Sequence, residues 1–379
     1  MRGGEARRAM NFDFSDEQKQ LRDQVRRFLE ERGSLRAARA VLERGGGYDR
    51  DLWRGLAELG LIGVAIPEEY GGAGAGRLEL CVVAEELGRA LAPVPFSSTV
   101  YLAAEILMEA GSEAQRRAWL PRIAAGEAVG ALAFAEGPGD PSPAAVKATA
   151  SGGAVNGEKL PVLDGEAADF AVVTARAGGS VGLFLVDLAQ PGVTRRALDT
   201  VDPSRPQASL TFQNAKAEPL GSLSEGWDLF SRALDRAAVP TAFEQVGGAD
   251  RALEMARDYA LDRMAFGRPI GSFQAIKHML ADMYVAATLA RSNAYYGAWA
   301  LSSGSPELGE AAANARVSAT DAYRLCAKQN MQAQGGMGFT WEGDAHLFYR
   351  RANLLASSLG GPGFWDDALI DRMRGRNAA

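Results

Sequence analysis

Hydrophobic side chains recur every three or four positions through the first third of the chain. They shorten to brief runs in the middle and regain long helical spacing from Trp227 onward. Phe12, Leu21, Val25, Phe28 and Leu29 fall mostly on one face of a helix, and Ser15 with Gln18 predicts a capping box at its start. Trp53, Leu56, Leu59 and Leu61 continue the pattern, and Ile66 to Gly72 reads as a turn. Leu78 to Leu91, Tyr101 to Ala110 and Gln115 to Ala125 complete a helical block. Between Ala131 and about Leu220, Gly, Pro, Val and Thr replace that pattern. Phe170–Ala175, Val181–Val186 and Ser209–Phe212 read as strands, with Gly178-Gly179 between the first two. Trp227 to Tyr259, Phe273 to Ser303 and Glu307 to Gln334 then predict an antiparallel helical bundle. The expected division is 12–130 helical, 131–222 β and 223–379 helical, an α+β chain that is mostly α.

A length of 379 residues, 47% of them hydrophobic, allows two or three cores. A net charge of −6 argues against general nucleic-acid binding, so an anionic ligand needs a local site. No apolar run reaches the roughly 20 residues that span a bilayer. The charged start lacks the apolar segment of a secretory signal, which points to a cytoplasmic protein. Cys81 and Cys326 stand far apart and read as buried thiols, and with only His278 and His346 no histidine metal centre is expected.

Two late stretches carry candidate chemistry. Arg263 to Gln274 places an arginine at a helix end, then a Gly/Pro turn, then Phe273-Gln274 opening the next helix. Gln332 to Thr340 is a glycine-rich stop to a long helix, where the backbone can approach a phosphate or ribose closely. A guanidinium beside bare backbone suits a pyrophosphate, although an arginine at a helix C-terminus also suits the helix dipole.

Together these stretches resemble the acyl-CoA dehydrogenase family, and the resemblance runs from about Phe12 to Met373. It implies a helical domain, a β-barrel-like domain and a four-helix bundle that hold FAD. Arg263, Phe266, Phe273 and Gln274 are the matching FAD contacts, and Gln332, Gly335 and Gly336 reach the same FAD from a neighbouring subunit. Other matches are incomplete. Phe134-Ala135-Glu136-Gly137-Pro138-Gly139-Asp140 keeps Glu136 of the family's Thr-Glu-Pro and Gly-Ser-Asp signature but loses the threonine and the serine. Val155 to Lys159 matches an Asn-Gly-x-Lys turn. Pro161 stands where a tryptophan is usual, and Leu163 where a hydroxyl is usual. Trp341 to Leu347 is expected to fix a loop and the following helix.

The function implied is α,β-dehydrogenation of an acyl-CoA thioester to the trans-2-enoyl product, with electron-transfer flavoprotein as acceptor. That reaction needs a positioned carboxylate with a raised pKa. The usual slot holds Leu359, and the alternative slot on the preceding helix holds Ala237. Glu244, seven residues on and about 10 Å further along the same face, is the first substitute. Asp235, expected to pair with Arg232 or Arg236, and Asp366 or Asp367 are others. Glu244 to Leu253, Phe266 to Ile270 and Trp341 to Leu347 look most like subunits of bacterial α2β2 dehydrogenases acting on steroid side-chain thioesters. In those enzymes one chain keeps the base. A homo-oligomer, a non-catalytic partner subunit and a flavin oxidase or monooxygenase on the same fold are the alternatives.

Overall fold

The computed structural model describes residues 14–378; Phe12 lies outside the described residues. The first domain carries α1 (Asp16–Glu31), α2 (Ser34–Glu43), α3 (Arg50–Glu58), α4 (Arg77–Arg89), α5 (Glu105–Ala110) and α6 (Glu113–Ala124). A π-helical stretch, Ser97–Ala104, leads into α5. Helix α1 starts where the sequence predicts. The Ser15 hydroxyl accepts from the Gln18 amide at 3.2 Å, and the Ser15 amide donates to Gln18 Oε1 at 2.9 Å. Val25 and Leu29 are its buried face. Leu59 falls just past the end of α3 and is exposed.

The middle domain is one eight-stranded sheet. Its strands are β1 (Gly130–Ala133), β2 (Thr149–Ser151), β3 (Ala154–Leu163), β4 (Phe170–Ala177), β5 (Ser180–Asp187), β6 (Val193–Leu198), β7 (Gln207–Lys216) and β8 (Glu218–Leu220). The order is β6-β7-β3-β2-β4-β5-β8, with β1 beside β4. Strands β1 and β2 share one edge of β4, pairing at Phe170–Val173 and at Arg176, while β5 covers the other. Val155 to Lys159 is not a turn, as expected from sequence, but lies within β3. The strand is disguised by two register shifts against β7, between Val155 and Gly157 and between Lys159 and Val162. Such bulges break the period-2 pattern that marks a strand. Gly157, at φ 136°, is required there because a Cβ would sit 2.8 Å from Ala148.

The last domain holds α7 (Gly226–Asp262), α8 (Gln274–Ser303), α9 (Leu308–Gln334), α10 (Ala345–Ser357) and α11 (Pro362–Ala378). Helix α4 crosses α7 so closely that a Cβ on Gly88 would meet the Glu244 carbonyl at 1.9 Å, and one on Gly247 the Glu85 carbonyl at 1.9 Å. Gly88 and Gly247 therefore lock the first domain onto the third by packing, while Gly248 makes room for the Tyr323 ring within the third.

Candidate active site

A cavity of about 360 Å³ opens where the three domains meet. Ser98 and Leu102 come from the first domain; Phe134, Ala135, Pro161 and Leu163 come from the sheet; Leu359 and Gly360 come from the loop between α10 and α11. Positions singled out separately from sequence thus share one chamber. Leu359 is 6% exposed and has φ 60°, a left-handed conformation unusual for a residue with a Cβ. Two donors hold that loop. Trp365 Nε1 donates to the Leu359 carbonyl at 3.1 Å. Arg316, fully buried on α9, donates to the Ser358 carbonyl at 2.9 Å and to the Leu355 carbonyl.

The candidate bases lie elsewhere. Ala237 is fully buried in α7. Glu244 is 3% exposed and is not among the residues lining the cavity. Its carboxylate lies 3.6 Å from Arg205 and 3.8 Å from Arg351. Burial raises its pKa and the two arginines oppose the rise. Asp235 pairs with Arg372 at 2.7 Å, not with Arg232 or Arg236, which reach Glu109 instead. Asp366 and Asp367 are exposed on α11. The one carboxylate among the lining residues is Asp140, which sequence reasoning passed over. A Cβ at Gly361 would lie 3.7 Å from Asp140 Oδ1. Its signal was present, as the last residue of the Phe134 to Asp140 stretch.

Glu136 and Lys159 form a wall support. Lys159 Nζ, fully buried, donates to Glu136 at 2.6 Å and to Thr174 at 2.9 Å. Burial works to raise the Glu136 pKa, but Lys159 and the Ala148 and Lys147 amides outweigh it and hold it below the ordinary value. A buried junction lies between the domains. Arg205 bonds Asp164 at 2.7 Å, Asp164 accepts from Ser98 at 2.7 Å, and Arg351 bonds Asp202 at 2.6 Å.

The expected cofactor residues gather at one end of the bundle. Helices α8 and α9 run antiparallel, with Cys326 against Met283, so the start of α8 lies level with the end of α9. Met264–Ala265 pairs with Arg268–Pro269 in a tight hairpin whose loop, Phe266 and Gly267, has φ of 52° and 78°. Phe266 is 96% exposed and meets Phe273 edge to face at 6.1 Å, while Arg268 stacks on Phe273 at 4.1 Å. The side chains of Arg263, Gln274 and Gln332 are exposed and make no hydrogen bond or ion pair among the described residues. Gly335 and Gly336 have open space where a Cβ would be. The Gly335 amide is not bare, because it donates to the Gln332 carbonyl. Trp341 to Asp344 is a loop that runs into α10 at Ala345. Arg39 donates to the carbonyls of Trp341 and Gly343 and pairs with Asp344 at 2.6 Å.

Residues 15–127 match the acyl-CoA dehydrogenase N-terminal domain, and residues 224–362 match the acyl-CoA dehydrogenase C-terminal domain. This chain belongs to the acyl-CoA dehydrogenase family. It is 35% identical over 348 residues to the acyl-CoA dehydrogenase IpdE2 of Mycobacterium tuberculosis, covering 92% of this chain and 94% of that one. A chain of the steroid ACAD Tcur3481-Tcur3483 superposes with a TM-score of 0.86 at 30% identity, covering 96% of this chain and 99% of its own. A chain of the ChsE4-ChsE5 complex from Mycobacterium tuberculosis gives 0.88 at 28% identity, covering 96% and 99%.

Members of the acyl-CoA dehydrogenase family are FAD flavoproteins and oxidoreductases of the CH–CH group. The residues present fit FAD unevenly. At the bundle end, a guanidinium, two side-chain amides and glycine backbone are open to solvent, the kinds of group that suit a pyrophosphate. At the cavity, Ala135, Pro161 and Leu163 offer apolar walls without a side-chain donor. Among the described residues no helix is long and apolar enough to cross a membrane.

Proposed function

We propose that this chain is one subunit of a two-chain acyl-CoA dehydrogenase that forms a trans-2-enoyl-CoA, with the proton-abstracting carboxylate supplied by the partner chain. Electron-transfer flavoprotein is the acceptor, and thioesters with bulky apolar acyl groups, steroid side chains among them, are the substrate class. What supports this is Leu359, buried in the cavity wall, and Ala237, buried in α7, which the sequence resemblance sets at the family's two base positions. Leucine cannot take a proton. Similarity to a steroid ACAD and to the ChsE4-ChsE5 complex supports the two-chain form.

In this reading the chain's own residues bind and orient. Arg263 and Gln274 would hold the FAD phosphate and ribose, Gln332 would reach the FAD of a neighbouring subunit, and bound FAD supplies hydride acceptance. Leu102, Phe134 and Leu359 exclude water from the acyl group. A second reading takes Asp140 as the base, because it is the one carboxylate among the lining residues.

One experiment separates the two. The isolated FAD-loaded chain is assayed with acyl-CoAs and an artificial acceptor, alone and with the candidate partner. We expect turnover only in the two-chain complex, and in the isolated chain only after Leu359→Glu. Turnover by the isolated chain that vanishes on Asp140→Asn would move the base to Asp140. Activity of the isolated chain that vanishes on Glu244→Gln would assign it to Glu244. Arg263→Ala should lower bound flavin, read as absorbance per protein.

A further inference from the structure

A second cavity, of about 330 Å³, lies between α1, α2, α4, α7 and α10 and shares no lining residue with the site above. Four guanidinium groups line it, from Arg26, Arg36, Arg89 and Arg251. Three are engaged by carboxylates. Arg26 bonds Glu86 through two nitrogens at 2.8 and 2.7 Å. Arg89 bonds Glu254 at 2.9 Å, and Arg251 reaches the same carboxylate at 3.3 Å. Arg36 has no such partner among the described residues. Its guanidinium instead lies against Gly33, where a Cβ would meet it at 2.7 Å.

That placement is electrostatically unfavourable for the protein alone. Helix α2 begins at Ser34 behind a left-handed Gly33, with no side-chain cap and no acid in its first turn. The N-terminal end of a helix carries partial positive charge, so an unpaired arginine there adds like to like. Glu30, at the rim, is the remaining acid on the cavity wall besides Glu86. A second, independent observation points the same way. Ser34 lines the cavity and is 2% exposed, yet its hydroxyl has no hydrogen-bond partner. Burying such a group unsatisfied is destabilising. The rest of the wall, including Leu29, Leu35 and Phe348, is apolar.

We propose that this cavity binds a phosphate monoester carrying a ring-sized apolar body. The phosphate sits at the start of α2 and accepts from Arg36, from the Ser34 hydroxyl after a change of χ1 rotamer, and from the first amides of the helix. A fixed cation, a hydroxyl and a helix N-terminus together supply donors for several oxygens of a dianion. Leu29, Leu35 and Phe348 take the apolar body.

The test is titration calorimetry of the full-length, FAD-loaded protein with phenyl phosphate and, separately, inorganic phosphate. Phenyl phosphate should bind about tenfold more tightly than inorganic phosphate, and Arg36→Ala should weaken it about tenfold, a difference near 1.4 kcal/mol. Ser34→Ala should weaken it in the same direction, and Arg36→Lys should retain part of the affinity. Arg36 is exposed and supports no other side chain, so its variants keep the fold. Equal affinity for the two probes, or an affinity indifferent to Arg36→Ala, would overturn the proposal. So would binding lost on Arg263→Ala, which would put the probe in the FAD site.

Discussion

Leu359 holds a backbone conformation that costs a residue with a Cβ about 1–2 kcal/mol. It persists because its neighbours over-determine it: Trp365 holds its carbonyl, and Arg316 holds those of Leu355 and Ser358. Burial lowers the Arg316 pKa to about 9, with Glu244 opposing, so the guanidinium stays charged at neutral pH. Arg316→Met leaves the Trp365 bond in place but removes the guanidinium bonds to the Leu355 and Ser358 carbonyls and to Gln245 and Thr320. We expect a loss of about 3 kcal/mol in urea unfolding. Lys159 is a comparable case. Lys159→Met would leave Glu136 largely buried without its cation and should cost about 3–5 kcal/mol, whereas Lys159→Met with Glu136→Gln should recover part of that. Partners of this kind were not legible in the sequence. Glu244 meets Arg205 and Arg351, and Asp235 meets Arg372, across separations that no local pattern encodes.

Among elements, legibility followed locality. The capping box of α1, the β4–β5 hairpin and the three long helices rest on neighbouring residues, and they stand close to where the hydrophobic pattern puts them. Strand β3 was missed because its bulges interrupt the alternation, and β6 because its side chains are mostly exposed. Helix α11 is tied to α7 and α9 by Arg372, which bonds Asp235 and the Gly309 carbonyl. Burial raises the Asp235 pKa from 3.8 to about 6, against the pull of Arg372. The folded protein therefore holds this proton more tightly than the unfolded chain does. The stability it contributes is full below the unfolded pKa and is lost as pH rises through the folded one, about 6. Thermal melts should thus show Asp235→Asn gaining on the wild type as pH rises from 3.8 to about 6, with no further gain well above that.

At the scale of the whole molecule, a cluster of exposed apolar groups is the usual mark of an interface. Tyr284, Val285 and Leu289 are 63%, 54% and 60% exposed on α8, more than a lone monomer usually leaves on one helix. Val285→Asp with Leu289→Asp should lower the assembly mass measured by light scattering, with the helical content of the chain retained. Within the chain, Arg205, Arg351, Asp164, Asp202 and Glu244 join the middle domain to the last behind the candidate active-site cavity, and Ser97 and Ser98 tie the first domain to Arg205 and Asp164. Each domain contributes one side of that chamber, so the chamber has its shape only while all three are docked. Occupancy and cohesion are consequently one thermodynamic quantity seen from two ends. A compound that fills the chamber at a hundred times its dissociation constant should add about 2.7 kcal/mol to the resistance of the folded chain against unfolding.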